Sequence, residues 1–205
     1  MPNLEFEKIY WKKKLLVGGC DEAGRGPLAG PVFAACILLN PNDKYPDGID
    51  DSKKLSHSKR SILFEKIKNS GLTFSISQKS NDYIDEHNIL QSSIDAMNDA
   101  ADSLATKPEF LLIDGNRFNS KYSFETIVKG DAKSITIAMA SILAKVARDE
   151  FMIDLDKKYP EYNFKNNKGY PTKSHFKAIS EYGITPFHRK TFLKKYYKRQ
   201  ISIFS

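Results

Sequence analysis

Two adjacent acidic residues, Asp21 and Glu22, stand between an apolar run and a loop rich in glycine and proline. Residues 15–17 form the apolar run, and a second run, residues 32–39, begins after the loop. Two short apolar runs joined in this way are typical of a β-hairpin or of two neighbouring strands. Carboxylates seldom enter apolar surroundings unless they are paired or bind a metal ion. For an acidic pair alone, the alternative is a solvated turn at a strand end.

Apolar spacing along the rest of the chain predicts an α/β protein. Ile62, Leu63 and Ile67 indicate a helix from about residue 57 to 69, with Ser56 or Ser58 as its cap. Residues at helical spacing predict a further helix near 90–104 and a long helix after residue 134. Strands are predicted near 15–22, 31–39, 72–78, 110–113 and 122–128.

Two more acidic residues lie where an apolar element meets a turn. Asp114 follows the strand predicted at 110–113, and Asp131 precedes the long helix. Each has a structural explanation, because Asp-Gly is a common turn and Asp is a common helix cap. If neighbouring strands bring these ends together, they gather four carboxylates that cannot all stay ionised without a counter-charge.

A divalent cation would supply that counter-charge, and an all-oxygen ligand set favours Mg²⁺ or Mn²⁺ over zinc. None of the four histidines has the helical pair spacing of a metal site. No Ser-His-Asp or Cys-His nucleophile motif is present either. The sequence therefore predicts metal-assisted phosphodiester chemistry.

The overall charge agrees with a polyanionic partner such as nucleic acid. The net charge is +7 at pH 7, and the 205 residues fit one domain. No run is apolar for long enough to cross a bilayer, and residues 1–14 lack a signal-peptide core. Cys20 and Cys36 are expected to be buried free thiols. We expect a cytoplasmic protein that does not enter a membrane.

The loop after the acidic pair belongs to a longer motif, which reads DEAGRGPLAGPV over residues 21–32. Six further segments follow in order: DSKKLS (51–56), IDG (113–115), KGD (129–131), ASILAKVARD (140–149), GYPTKSH (169–175) and HR (188–189). Together, over about residues 15–192, they resemble the type 2 ribonucleases H, and bacterial ribonuclease HII in particular.

The resemblance implies a ribonuclease H-like α/β fold with a mixed central β-sheet flanked by helices and a small helical C-terminal part. One domain would span residues 15–205, with the helical part at about 150–199. The implied enzyme is an endoribonuclease that cuts the RNA strand of RNA–DNA hybrids and the 5′ side of ribonucleotides embedded in duplex DNA. It would serve in ribonucleotide and primer removal and leave 5′-phosphate and 3′-hydroxyl ends. We expect a monomer.

The same resemblance assigns the catalytic and metal-binding roles to Asp21, Glu22, Asp114 and Asp131. Two metal ions, bridged by Asp21, would activate the attacking water and stabilise the leaving 3′-oxyanion. The substrate contacts that we expect are Gly24, Arg25, Gly26, Ser52, Lys53, Tyr170, Lys173 and His175.

These substrate contacts would have different tasks. Residues 24–26, which we call the glycine turn, would read the ribose 2′-hydroxyl, the group that separates RNA from DNA. Tyr170 would pack on the neighbouring sugar, and the remaining side chains would contact phosphates. The structural alternatives are a half-buried core tyrosine and ordinary solvated lysines.

The last residues carry a separate motif. Gln200, Ile203 and Phe204 belong to QISIF, residues 200–204, which resembles the short peptides that dock on bacterial sliding clamps. A basic lead-in at 194–199 would leave a tail at 200–205 free to bind a groove. The alternative is a C-terminal segment that folds back on the core.

Two other functional classes stay open at this point. One is a catalytically idle nucleic-acid-binding module that uses metals only to hold its fold. The other is a nuclease of the type 1 ribonuclease H or Holliday-junction-resolvase kind, which would share an acidic cluster but lacks the Gly-Arg-Gly and Gly-Tyr-Pro-Thr segments. Cleavage of a DNA duplex that contains one ribonucleotide would separate the three.

Overall fold

The centre of the structure is a mixed β-sheet. The structure, a computed structural model, describes residues 1–194. Within this range the strands lie in the order β3-β2-β1-β4-β5. Their bounds are β1 Val17–Ala23, β2 Val32–Leu39, β3 Phe74–Lys79, β4 Phe110–Asp114 and β5 Ser123–Ile127. The prediction of an α/β fold with a mixed sheet is confirmed.

Helices cover both faces of the sheet and form the C-terminal part. Their bounds are α1 Glu5–Trp11, α2 His57–Lys68, α3 Asn81–Ser103, α4 Ile135–Lys158, α5 Phe164–Asn167 and α6 Lys173–Tyr182, with 3₁₀ turns at Gly130–Ala132 and Pro160–Tyr162. Residues 190–194 are also helical. No helix in the described range is long and apolar enough to span a bilayer.

The strand directions bring distant acidic residues to one edge of the sheet. β1 runs antiparallel to β2 but parallel to β4, and β4 runs parallel to β5. The register pairs Cys20 with Ile113, so Asp21 and Asp114 are the next residues on neighbouring strands. Because parallel strands end at the same edge, β5 also delivers the turn that carries Asp131 to this place.

Side chains that alternate along the strands build two layers of core. On β2, Ile37 packs against α2 and α4, whereas Cys36 packs against α3. Cys20 lies opposite Cys36 on β1, and both thiols are buried and free, as predicted. Both faces of the sheet are covered, which explains why the sequence of β2 is an uninterrupted apolar run.

Helix α4 approaches β1 very closely at Gly19. A Cβ atom at this position would lie 2.4 Å from Thr136 Oγ1 and 2.5 Å from the Thr136 carbonyl carbon, so only glycine leaves room for the contact. This packing carries the next turns of α4 past the end of β1. It therefore places Ser141 within hydrogen-bonding reach of Asp21.

The N-terminal helix α1 is tied to the start of α4 through a buried carboxylate. Glu7 accepts hydrogen bonds from Ser134 Oγ at 2.6 Å, Thr136 Oγ1 at 2.9 Å and the Thr136 amide at 3.0 Å. A carboxylate is favourable here because it faces the positive end of the helix dipole. Helix α1 thus packs against the domain that was predicted to begin at about residue 15.

The C-terminal part packs against the glycine-rich loop. Leu28 and Ala29 of that loop share an apolar cluster with Met152 on α4, Phe164 on α5 and Leu193. The helical portion predicted for about 150–199 begins inside α4 and is seen as far as residue 194. The predicted tail at 200–205 lies outside the described residues.

Helix α2 corrects one prediction and confirms another. Ile62 is 57% exposed, and α2 buries Leu63, Phe64 and Ile67 instead. The buried stripe is narrow because α2 touches the core along only one side, and Ile62 falls outside it. The Ser56 side chain accepts a backbone N–H at the start of α2, as the capping prediction requires.

Helix α3 begins earlier than the apolar spacing indicated. It starts at Asn81, and Asn88 interrupts it with φ 62° and ψ 165°. The Asn88 side-chain oxygen accepts the amides of residues 90 and 91, so it caps the part that resumes after the kink. The sequence pattern at 90–104 therefore detected only this second part.

Candidate active site

Four carboxylates meet at the edge of the sheet where β1, β4 and β5 end. We call Asp21, Glu22, Asp114 and Asp131 the acidic cluster. The first two lie near the end of β1, Asp114 is the last residue of β4, and Asp131 lies in the 3₁₀ turn after β5. Charge interactions link Asp21 to Glu22 and Asp114, and link Asp114 to Asp131. The structure thus brings the four predicted acids together.

Asp131 does not cap the long helix. Ser134 has that role, because its side chain accepts the amide of Ile137. Asp131 is 2% exposed, and the amide of the preceding residue, Gly130, donates to Asp114 Oδ1 at 2.6 Å. The turn therefore orients Asp131 and Asp114 together, and helix capping does not explain an acid at position 131.

Burial and the charges of neighbouring carboxylates raise the pKa of Asp21, Glu22 and Asp114. Desolvation raises the pKa of Asp21 well above its usual value, and the charges of Glu22 and Asp114 raise it further. A hydrogen bond from Ser141 opposes this rise. Desolvation also raises the pKa of Glu22 and of Asp114. Such groups favour a bound proton or a bound cation.

Two basic side chains neutralise part of the acidic cluster. Lys53 Nζ lies 2.7 Å from Asp131 Oδ2, and Arg25 Nη1 lies 3.2 Å from Glu22 Oε1. The hydrogen bond to Asp131 raises the pKa of Lys53. The other two carboxylates accept backbone amides and have no ion pair among the described residues.

A cavity of about 270 Å³ opens over the acidic cluster, and we call it the active-site cavity. It is lined by Asp21, Glu22, Ala23, Gly24, Arg25, Gly26, Ser52, Lys53, Arg60, Asp114, Ser141, Lys145 and Tyr170. Most of the predicted site residues therefore share one space. Asp131 is not among the lining residues, but its carboxylate contacts Lys53, which is.

Three polar cavity residues, Arg60, Ser141 and Lys145, were not among the predicted site residues. Asp149 organises two of them: its carboxylate lies 2.6 Å from Lys145 Nζ and 3.7 Å from Arg60 Nη1. The sequence did contain a signal for them, since Ser141, Lys145 and Asp149 recur every fourth residue along α4 and so share one face.

Tyr170 stands at the rim of the active-site cavity. It is 42% exposed, and its ring lies beside Gly26, where an added Cβ would be 3.4 Å from Tyr170 Cε1. The half-buried ring thus lies at the rim of the cavity rather than inside one of the apolar clusters. Lys173 is exposed at the start of α6 and does not line the cavity.

His175 cannot contact a phosphate in this structure, which corrects the prediction. The ring is fully buried, with Nδ1 2.9 Å from the carbonyl oxygen of Tyr170 and Nε2 3.0 Å from His188 Nε2. Ser52 does line the cavity, but its hydroxyl is already 2.9 Å from Ser141 Oγ. His175 therefore supports the Tyr170 backbone from below rather than facing the substrate.

The acidic cluster offers carboxylate oxygens, the ligands that hard divalent cations prefer. Burial and neighbouring carboxylates raise the pKa of Asp21 and Asp114, so a bound cation would offset the cost of their negative charge. In the described residues, no three side chains of the types Asp, Glu, His and Cys are gathered closely enough to hold a metal ion. Lys53 and Arg25 supply the counter-charge instead. The chemistry of the set thus fits Mg²⁺ or Mn²⁺, with two side chains held by basic partners.

The sequence model of the ribonuclease HII family matches residues 18–199. The chain belongs to this family. Ribonuclease HII of Chloroherpeton thalassium is 52% identical over 198 residues, which cover 93% of this chain and 96% of the relative. Ribonuclease HII of Clostridioides difficile is 52% identical over 193 residues, 94% of this chain and 75% of the relative.

Solved structures of the family share the fold. Ribonuclease H2 from Pyrococcus horikoshii matches with a TM-score of 0.74 and 27% identity, over 90% of this chain and 98% of that one. The PCNA:RNase HII complex from Archaeoglobus fulgidus matches with a TM-score of 0.70 and 25% identity, over 86% and 94%. The predicted family and fold are confirmed, and as a ribonuclease HII the chain is an endonuclease that hydrolyses RNA in RNA–DNA hybrids.

Proposed function

We propose that this ribonuclease HII also cuts on the 5′ side of single ribonucleotides embedded in duplex DNA. It leaves 5′-phosphate and 3′-hydroxyl ends and acts in the removal of ribonucleotides and primers. The observation that carries the proposal is the shared cavity: the glycine turn, Tyr170 and three of the four acids line one space of a size for a sugar and its phosphate. An enzyme that recognises a single ribonucleotide and cuts beside it would need these groups to be adjacent.

The acidic cluster would hold Mg²⁺ or Mn²⁺, with two ions in the catalytic complex. When bound, these ions lower the pKa of the attacking water and stabilise the leaving 3′-oxygen. Among the residues that line the cavity, the two serine hydroxyls, Ser52 and Ser141, are bonded to each other, and no histidine stands beside them to activate a nucleophile. We place the carboxylate of Asp21, next to Glu22 and Asp114, at the centre of this site, because burial raises its pKa well above the usual value and the charges of both neighbours raise it further.

The remaining cavity residues bind and orient the substrate. The glycine turn has no side chain at two of its three positions, so its backbone can approach the ribose 2′-hydroxyl. Tyr170 offers a half-exposed ring for the neighbouring sugar. Lys53 and the exposed Lys173 would meet backbone phosphates, where each contact also releases counterions.

One assay tests the proposal against its rivals. A DNA duplex with a single ribonucleotide is incubated with the protein and Mg²⁺ or Mn²⁺, and the product ends are mapped. We expect one cut on the 5′ side of the ribonucleotide. A binding module would cut nothing, and a nuclease of type 1 specificity would cut only duplexes with longer RNA tracts.

The cellular setting is part of the same proposal. We expect a cytoplasmic monomer, which agrees with two free, buried cysteines in the described residues. The tail with Gln200, Ile203 and Phe204 would dock on a sliding clamp; it lies outside the described residues. A related ribonuclease HII, from Archaeoglobus fulgidus, has been solved in complex with PCNA.

A further inference from the structure

Two arginines are buried in the interior, and no carboxylate among the described residues bonds to their guanidinium groups. Arg148 is 1% exposed and Arg189 is fully buried. Burying a guanidinium is costly, so its donors must be used. Each of these two guanidinium groups donates three hydrogen bonds, and all six acceptors are backbone carbonyl oxygens.

The two arginines hold different parts of the chain. Arg189 donates from Nη2 to the carbonyl oxygen of Gly24 at 2.7 Å, from Nη1 to that of Arg25 at 3.1 Å, and from Nε to that of Gly30 at 2.9 Å. Arg148 donates to the carbonyl oxygens of Ala29, Pro31 and Lys168 at 3.1 to 3.2 Å. Only Arg189 therefore bonds the glycine turn.

The bonds of Arg189 decide which way the peptide groups of the glycine turn face. In a trans peptide, the C=O and the following N–H point in opposite directions. Because the carbonyl groups of Gly24 and Arg25 point inward to Arg189, the amides of Arg25 and Gly26 point away from it. Neither amide donates to another group among the described residues, and both residues line the active-site cavity.

Because two of its three residues are glycines, the glycine turn needs contacts from the rest of the protein to keep one conformation. Gly24 has φ 101°, a conformation that glycine adopts at little cost but that its sequence does not enforce. Fixing a backbone residue costs conformational entropy, so contacts from outside the turn are needed to hold it in one conformation. A rigid guanidinium fork with several donors can meet two neighbouring carbonyl oxygens at once, which a lysine ammonium does less well.

We propose that Arg189 is a positioning residue that aims the amides of Arg25 and Gly26 into the active-site cavity, where they donate to the 2′-oxygen of the ribonucleotide. The proposal rests on the proposed function for its ligand, but the orientation of the turn does not. Arg189 touches no substrate itself. It acts through the backbone of the glycine turn, so its loss should lower the rate of the chemical step more than duplex affinity.

The test compares Arg189→Met with Arg148→Met, which removes the same number of carbonyl contacts from an equally buried arginine. Each variant is assayed with the single-ribonucleotide duplex under conditions in which thermal unfolding shows it to be folded. We expect Arg189→Met to lower kcat by about a hundredfold, the size of effect that a misplacement of 1 Å produces. KM and the Kd for an all-DNA duplex should stay within about threefold, and Arg148→Met should lower kcat far less.

A second readout does not depend on activity. In ¹H–¹⁵N NMR spectra, the amide signals of Arg25 and Gly26 should shift in Arg189→Met and far less in Arg148→Met. If the wild-type enzyme fails to cut the duplex, the proposed function fails, while the NMR comparison still tests Arg189. If Arg189→Met does not fold, Arg189→Lys replaces it, with an expected loss of about tenfold in kcat.

Two results would overturn the proposal. One is a folded Arg189 variant with wild-type kcat and wild-type amide signals of Arg25 and Gly26. The other is an equal fall of kcat in the Arg189 and Arg148 variants, which would indicate general loosening of the loop rather than orientation of the glycine turn.

Discussion

Lys53 Nζ lies 2.7 Å from Asp131 Oδ2, and the two side chains differ sharply in exposure: 76% for Lys53 and 3% for Asp131. The carboxylate is fixed within the protein, whereas the ammonium reaches it from the solvent side. Lys53 is therefore a removable counter-ion for the acidic cluster. A divalent cation that binds Asp131 must compete with it, since both need the same carboxylate.

Replacing Lys53 with Met should change the response to metal more than the stability of the metal-free protein. Without metal, the free energy of unfolding should fall by at most about 1 kcal/mol, because the ion pair is largely solvent-screened. The stabilisation by Mn²⁺ should increase, because a ligand that binds only the folded state stabilises it according to its affinity. Thermal unfolding in EDTA and in Mn²⁺ measures both effects.

Lys54→Met is the matched control, because Lys54 lies next in the chain but 4.0 Å from Asp50 and outside the acidic cluster. It should leave the Mn²⁺ response at the wild-type value. Equal Mn²⁺ shifts in both variants and the wild type would show that Lys53 does not compete for Asp131.

Asp21→Asn should abolish cleavage while it stabilises the fold. Loss of the central carboxylate should lower kcat by about a thousandfold or more, since the metal contribution is worth several kcal/mol. Affinity for an all-DNA duplex should stay near the wild-type value. The native pKa of Asp21 is raised, so the native state holds this proton more tightly than the unfolded chain does. Stability therefore falls as the pH rises through the window between the two pKa values.

The pH dependence provides the control for this prediction. Above the window, Asp21→Asn should melt at a higher temperature than the wild type, and below the ordinary pKa of Asp the difference should vanish. Asp154→Asn, which removes an exposed ion pair with Lys157 on α4, should change neither activity nor this pH profile. An Asp21→Asn protein that still cleaves would remove Asp21 from the catalytic site.

Features of the fold that depend on local pattern could be predicted from the sequence. The apolar runs around Asp21 and before Asp114 identified strands, and their acidic ends identified the site edge. Ile62 shows where pattern fails: apolar spacing gives a helix, but the width of the buried face depends on what the helix packs against. The kink at Asn88 could not be predicted either, because in the sequence an asparagine that caps a helix looks like any other polar residue.

Contacts between distant segments could not be predicted. Arg189 and Arg148 look like solvated cations in a basic sequence, and only the folded chain shows their bonds to the glycine-rich loop. His175 was expected to contact a phosphate, together with Lys173 of the same segment. It is buried because Tyr162 and Phe164, which follow α4, close over its ring.

Deletion of residues 200–205 should separate clamp binding from catalysis. Cleavage of a short duplex should be unchanged, because every residue proposed for the active site precedes residue 190. Binding to a bacterial sliding clamp should be lost, as a pull-down with purified clamp would measure. A double variant, Ile203→Ala with Phe204→Ala, should match the deletion, whereas Ser202→Ala should still bind. Clamp binding by the deleted chain would show that the tail is not the docking peptide.

The buried pair of His175 and His188 should make stability fall in mild acid. The carbonyl oxygen of Tyr170 accepts from His175 Nδ1, and the Thr185 amide donates to His188 Nδ1 at 2.9 Å, so the proton between the rings belongs to His188 Nε2. Protonating His175 would set its Nε2–H against the Nε2–H of His188 at 3.0 Å, and protonating His188 would set its Nδ1–H against the Thr185 amide at 2.9 Å. Burial, and then the neighbouring His175, lower the pKa of His188 to about 4.

Because the unfolded chain binds this proton more readily, the stabilisation is complete above about pH 6.5 and is lost as the pH falls toward 4. The full loss is about 3 kcal/mol, at about 1.4 kcal/mol for each tenfold difference in proton affinity. Urea unfolding of the wild type and of His188→Asn between pH 7 and pH 4 measures this loss. The free energy of unfolding of the variant should be lower than that of the wild type at pH 7 and should fall less as the pH is lowered to 4. His57→Asn, at an exposed position on α2, should decline as the wild type does. A His188→Asn protein with the wild-type slope would show that the acid sensitivity comes from the carboxylates alone.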